Sequence, residues 1–336
     1  MGAGSQGAQP CVGVSRAYRY KRTIVPPASS ATRGSWTLVF KVAVSLGLLV
    51  YLAWRVDFPG LARFLAGVDP TWLVAAVTLY LAGQALSAVK WRLLAVALGF
   101  EGTRARFVAY YFIGMFFNAF GFGTVGGDVV RTLYLAGGGG RRALAANTVL
   151  ADRVSGLLVL LAIALVALGV FHHYELPASI YWTVVVIASG LLGGWRLLPC
   201  LLPLALPAEN RLRRLVDRDL APYWNDGKLL AHVALLSLAF HVSQIGVLMI
   251  LIVALRLDVP WSYCFIFGPL VNIMAAIPVS LNGLGVREGG YVFFLSHIGI
   301  AREAAVGFAL TWFAVVMLAG LAGGVVYLLH GERREG

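Results

Sequence analysis

Gly123-Thr124-Val125-Gly126-Gly127-Asp128-Val129-Val130-Arg131 sets glycines, a carboxylate and a guanidinium between the apolar run Phe107 to Phe122 and a mostly apolar segment ending near Ala136. Hydrocarbon forbids such a stretch to face lipid. Its backbone N–H and C=O groups would go unsatisfied, and an ionisable pair at membrane depth must face protein or water. Whatever fold the chain adopts has to build a protected interior around these nine residues.

The surroundings are those of a membrane protein. Of 336 residues, 60% are hydrophobic and 12% charged, with mean hydropathy +0.81, which implies an all-α, polytopic membrane fold. The net charge of +12 does not imply nucleic acid. The basic residues flank apolar segments, as positive-inside topology requires, and no basic reader module accompanies them. Cys11, Cys200 and Cys264 are too scattered for a disulfide framework or metal site. His172-His173 beside Glu175 reads as a solvated loop. No metal and no cofactor is expected.

Residues 1–35 carry Arg16, Arg19, Lys21, Arg22 and Arg33 with no acid, and read as a disordered basic cytoplasmic tail. One integral membrane domain is expected over 36–330, followed by a cytoplasmic tail at 331–336. About six full membrane helices are expected: Trp36 to Trp54, Pro70 to Leu98, Ala143 to Val170, Ile180 to Leu198, Leu229 to Leu255 and Ala304 to Leu329. Lys90 and Arg92, late in the second, are read as snorkelling to the cytoplasmic surface, with a phosphate-facing role as the alternative. Residues 199–228, rich in Arg, Asp and Pro, form a cytoplasmic loop. Gly320-x-x-x-Gly324 supplies a close-packing face.

The runs Phe107 to Phe122 and Val125 to Ala136 each fall short of the ~20 residues a spanning helix needs. They predict two half-length helices in a re-entrant hairpin. Trp261 to Val279, then Ser280 to Gly290 with Arg287 and Glu288, then Tyr291 to Ile300, repeats the pattern and predicts a second hairpin entering from outside. The halves, about 36–170 and 180–330, then have opposite topology, and both termini lie in the cytoplasm. Inverted repeats with broken helices are a transporter architecture. Half-helix N-termini favour phosphate or carboxylate, so Asn118, Gly126, Gly127, Asp128, Arg131, Asp152, Arg153, Asn282, Gly283, Gly285, Arg287 and Glu288 are candidate substrate-binding residues. Arg131 and Arg287 would grip a phosphate, while Asp128 with Arg131, and Arg287 with Glu288, could equally be structural pairs. Adjacent on a helix, Asp152 and Arg153 point about 100° apart and need not share a cavity.

Three motifs carry a resemblance: Phe116-Phe117-Asn118 through Gly126-Gly127-Asp128-x-x-Arg131; Asp152-Arg153-x-x-Gly156; and Ile277-Pro278-x-Ser280-x-Asn282-Gly283-x-Gly285-x-Arg287-Glu288. Together, over roughly residues 37–330, they resemble the flippase-like family that includes the membrane region of lysylphosphatidylglycerol synthases. The resemblance implies a cell-membrane protein that moves lipids or lipid-linked sugars between leaflets. Many relatives carry a proline before Gly-Gly-Asp, where this chain has Phe120-Gly121-Phe122-Gly123. Some relatives continue into an aminoacyltransferase domain; with the sequence ending at Gly336, that activity is not expected.

The leading reading is a lipid translocator, a transporter more than an enzyme, with membrane lipids as partners and no nucleic acid. Without a Gly-x-x-x-x-Gly-Lys-[Ser/Thr] motif, uphill movement would call on ion coupling, with Asp128, Asp152 or Glu288 as proton carriers, or on a partner. Two alternatives stay open: a membrane-embedded transferase acting on a lipid-linked substrate, and a non-catalytic partner of a separate lipid-modifying enzyme or glycosyltransferase.

Overall fold

The computed structural model describes residues 69–120, 124–137, 140–205 and 226–332 apart from 278–279 and 281–282, with isolated positions between 207 and 223. The expected tail 1–35, the helix Trp36 to Trp54, Gly123 and Asn282 lie outside the described residues.

Among the described residues the chain is all-helical. In order come α1 (Pro70–Ala97), α2 (Arg104–Phe120), α3 (Thr124–Ala136), α4 (Arg142–Val170), a 3-10 turn (His172–Tyr174), α5 (Ala178–Ala205), α6 (Gly227–Ala254), α7 (Trp261–Ala276), α8 (Val286–His297) and α9 (Arg302–Glu332). The starts follow local chemistry. Asp69 accepts the Thr71 N–H at 2.8 Å with Pro70 opening α1, and Asp226 accepts the Leu229 N–H at 2.9 Å to cap α6.

Among the described residues four helices are long and apolar enough to cross a membrane: α1, α4, α6 and the Arg302–Leu329 part of α9. Each holds at least 28 residues, roughly 42 Å of helix, against a hydrocarbon core of about 30 Å. The chain is a multi-pass membrane protein. The helices α2, α3, α7 and α8 have 17, 13, 16 and 12 residues, below spanning length, and they form two successive packed pairs, α2 with α3 and α7 with α8.

Glycine lets each pair close. A Cβ at Gly127 would collide with the Gly114 carbonyl oxygen and the Asn118 side chain, and one at Gly114 would meet Arg131 Cγ at 2.7 Å. Asn118 Oδ1 instead accepts the Gly127 N–H at 2.8 Å, tying α3 back onto α2. The glycines admit helical backbone at this close approach, so α3 starts at Thr124, one residue before the run Val125 to Ala136, and Asp128 is its fifth residue. In the second pair the turn uses positive φ at Gly283 (72°) and Gly285 (81°), a region that disfavours side chains with a Cβ. Glu288 Oε2 accepts the Gly285 N–H at 2.6 Å and closes the N-terminus of α8.

The packing has an internal correspondence. Exchange α1 with α6, α2 with α7, α3 with α8 and α4 with α9, and each packed pair among these eight helices falls on another: α2–α9 on α7–α4, α3–α4 on α8–α9, α1–α4 on α6–α9. The pair α1–α6 maps on itself. Gly83 lies against Ser243 and Gln244, Leu79 against Gly246, and Tyr223, just before α6, bonds to the Leu94 carbonyl. Numbers rise along α1 as they fall along α6, so the two run antiparallel. Helices that exchange and run antiparallel are related by an axis perpendicular to both, the geometry of an inverted repeat.

Aromatic rings fill the centre: Tyr263, Phe267, Tyr291, Phe308, Trp312 and Tyr80 meet edge to face or tilted in an unbroken chain. On α9, Gly320 and Gly324 face Ala119 and Phe116 of α2, and a Cβ at the neighbouring Gly323 would strike the Phe112 carbonyl. That is the close-packing role read from Gly320-x-x-x-Gly324.

Candidate functional site

Five charged side chains from α1, α3 and α4 gather in the first half. Lys90 Nζ lies 3.0 Å from Asp152 Oδ1 and donates to the Asp152 carbonyl at 3.0 Å. Arg131 Nη2 donates to Asp152 Oδ2 at 2.9 Å, and its Nη1 lies 3.6 Å from Asp128 Oδ1. Arg153 grips Asp128 with two bonds, Nε to Oδ2 at 3.1 Å and Nη2 to Oδ1 at 3.0 Å. Three cations share two carboxylates, leaving one positive charge in excess.

Burial divides the group. Lys90, Arg131 and Asp152 are 2%, 3% and 4% exposed, so the inner pairs stand out of water's screening. Arg153 is about half exposed, at 51% of its side chain. The neighbours Asp152 and Arg153 do face different ways: the acid inward to Lys90 and Arg131, the cation outward beside Asp128.

Arg131 is also stacked. Its guanidinium carbon lies 4.3 Å from the Trp91 ring centroid and 4.2 Å from that of Tyr111, a cation between two π faces. Each ring is pinned, Trp91 Nε1 donating to Thr148 Oγ1 at 2.9 Å and the Tyr111 hydroxyl to Ser87 Oγ at 2.8 Å. The sequence reading singled out none of Trp91, Tyr111, Thr148 or Ser87. It set Lys90 at the surface; Lys90 is buried instead, because two oxygens of Asp152 offer its ammonium more than a distant headgroup layer. Beside it, His241 Nε2 donates to the Gly156 carbonyl at 2.9 Å, so the small residue of Asp152-Arg153-x-x-Gly156 leaves room for α6.

Outside this cluster, between α3 and α4, lies a groove of about 520 Å³. Asp128, Arg142 and Arg153 line it together with Val129, Leu133 and Leu150, whose side chains are 47–49% exposed. Each helix contributes both kinds of side chain, α3 Asp128 with Val129 and Leu133, α4 Arg142 and Arg153 with Val149 and Leu150. Arg142 and Arg153 sit on the same helix, roughly 16 Å apart along its axis.

The structure joins Asn118, Gly126, Gly127, Asp128, Arg131, Asp152 and Arg153 in one region. Gly283, Gly285, Arg287 and Glu288 lie apart from it on the second helix pair. There Glu288 serves the α8 cap, and Arg287 is partly buried. Tyr80 of α1 meets Trp312 of α9 edge to face at 6.1 Å. Among the described residues, no three His, Cys, Asp or Glu side chains gather into a metal-sized group.

A family model, the lysylphosphatidylglycerol synthase TM region, matches residues 38–324. No curated protein matches the chain. The match takes in the charged cluster, the groove and both short-helix pairs, and it indicates a lipid-related membrane function: the chain belongs to the lysylphosphatidylglycerol synthase TM region family.

Proposed function

We propose that the protein is a lipid translocator that passes an anionic headgroup along the α3–α4 groove while the acyl chains stay in the bilayer. The observation that carries this reading is the mixed lining of the groove: the cationic side chains of Arg142 and Arg153 on α4 beside exposed apolar Val129 and Leu133 of α3 and Leu150 of α4. A phosphate meets a guanidinium that is half exposed and already oriented by Asp128, and planar guanidinium suits bidentate phosphate contact. Acyl chains meet a surface no more polar than lipid. Behind the groove, Lys90, Arg131 and Asp152 fix α1, α3 and α4 as a rigid wall that carries the excess positive charge.

The two short-helix pairs are re-entrant in this reading, one from each side, with both termini in the cytoplasm of a cell-membrane protein and a separate lipid-modifying enzyme supplying or consuming the lipid. Antiparallel α1 and α6 support the inverted arrangement. The test is reconstitution of the purified chain in liposomes with tail-labelled phosphatidylglycerol, following leaflet exchange by chemical quenching of the outer leaflet and lipid identity by mass spectrometry. Exchange of chemically unchanged lipid is expected. Modified lipid without exchange would replace the translocator by a membrane-embedded transferase.

A further inference from the structure

The second half holds buried donors that the groove does not use. Tyr291 is 0% and Trp312 3% exposed, yet the Tyr291 hydroxyl and Trp312 Nε1 find no hydrogen-bond partner among the described residues. Nor does the buried Nε of Arg287. These three belong together. Arg287 and Tyr291 are one turn apart on the same face of α8, the Tyr291 and Trp312 rings meet at 5.9 Å, and Trp312 meets Tyr80 at 6.1 Å. One turn along α1 from Tyr80, Gly83 abuts Gln244 Nε2, a fourth donor without a partner.

Every orphan here is a donor, and one carries a positive charge. Leaving buried donors unmade is expensive, so donors carried on neighbouring side chains call for an acceptor among them. A water accepts only about two hydrogen bonds and leaves the guanidinium charge unbalanced. The nearest acid, Glu288, is committed to the Gly285 N–H, and no carboxylate lies within ion-pair distance of Arg287 among the described residues. The α8 N-terminus adds its positive dipole end to the same place. Arg287 is only partly buried and connects these donors to the outside.

We propose that Arg287, Tyr291 and Trp312 form a binding site for one small anionic acceptor, a halide or a single phosphate oxygen, separate from the α3–α4 groove. The inference is independent of lipid translocation and holds whether or not leaflet exchange is observed.

The test is thermal unfolding of the full-length chain in neutral detergent micelles. Sodium chloride or bromide is titrated against sodium gluconate at constant ionic strength, and in a second arm, in gluconate, phosphatidylglycerol is titrated against uncharged diacylglycerol. A saturable rise in Tm with halide identifies a free anion; a rise with phosphatidylglycerol and not diacylglycerol identifies a lipid phosphate. In either case Tyr291→Phe, which keeps the ring, and Trp312→Phe, which keeps a smaller aromatic ring in its place, should weaken half-saturation roughly tenfold or more, since each removes a donor to a charged acceptor. Tyr263→Phe, whose hydroxyl donates elsewhere, to the Phe294 carbonyl, should retain wild-type half-saturation. The proposal is overturned if neither anion class stabilises the wild type, or if Tyr291→Phe and Trp312→Phe respond with wild-type affinity.

Discussion

Asp152→Asn isolates what the buried cluster contributes. In the wild type, Asp152 neutralises Lys90 at 3.0 Å and Arg131 at 2.9 Å, and all three side chains are at most 4% exposed. The amide removes the only carboxylate within ion-pair distance of Lys90 among the described residues. Arg131 keeps a longer contact to Asp128, at 3.6 Å, shared with Arg153. Stranding a buried charge in this way costs about 3–5 kcal/mol. Lys90→Met instead leaves Asp152 paired with Arg131 in a shape-matched apolar setting, so only the charged hydrogen bond is lost, about 1.5–3 kcal/mol. The double variant should then be destabilised by less than the sum of the two, with a coupling of at least about 1 kcal/mol, because the methionine removes the cation that the missing carboxylate would strand. Reversible unfolding in bicelles, read by steric trapping of the unfolded chain, measures all three. If Asp152→Asn lies within about 1 kcal/mol of wild type, or if the two substitutions add, Asp152 is not what holds the buried cations in place and the reasoning fails.

Other substitutions follow from the same packing. Gly127→Ala, driven against the Gly114 carbonyl and Asn118, should cost about 1–3 kcal/mol or more, whereas Gly190→Ala on α5, where nothing lies within 4 Å, should stabilise by about 0.5–1 kcal/mol; equal effects in the same unfolding assay would contradict the account of the short-helix pair. Trp91→Leu removes one face of the Arg131 stack and the bond to Thr148, and a loss of about 3 kcal/mol is expected from truncating a buried ring. By contrast Arg153→Gln should change stability by no more than about 1 kcal/mol, since its guanidinium is half exposed, and a cooperative melt close to wild type checks it.

Much of this architecture was legible in residues alone. Apolar runs bounded by Pro70, Arg142 or Trp261 located the starts of those helices, the short runs around Asp128 marked the first short-helix pair, and the repeated glycine-rich pattern before Arg287 marked the second; α5 instead continues to Ala205, beyond the expected Leu198, and α8 begins at Val286, ahead of the expected Tyr291. The 100° offset between neighbours left open whether Asp152 and Arg153 share a cavity; the acid turns inward and the cation outward. What stayed hidden were the partners. A helix that is apolar all round gives no moment to say which face is inside, so nothing in α1 distinguished a snorkelling Lys90 from one reaching Asp152, and the Trp91–Arg131–Tyr111 stack joins three helices whose registers hydropathy does not fix. For the same reason Arg131, the natural choice for a phosphate contact from its motif, is held on four sides by Asp128, Asp152, Trp91 and Tyr111, while the less conspicuous Arg153 faces the groove. Loss of function on changing Arg131 would therefore mix folding with transport, and Arg153 separates them.

The most direct measurement is the leaflet-exchange rate of phosphatidylglycerol in liposomes holding equal amounts of folded wild type or Arg153→Gln. Translocation along the α3–α4 groove predicts fast exchange by the wild type and at least a roughly tenfold slower rate in the variant, the loss of one charged contact to phosphate. Equal rates in the two, or no exchange by the wild type above protein-free vesicles, would contradict it.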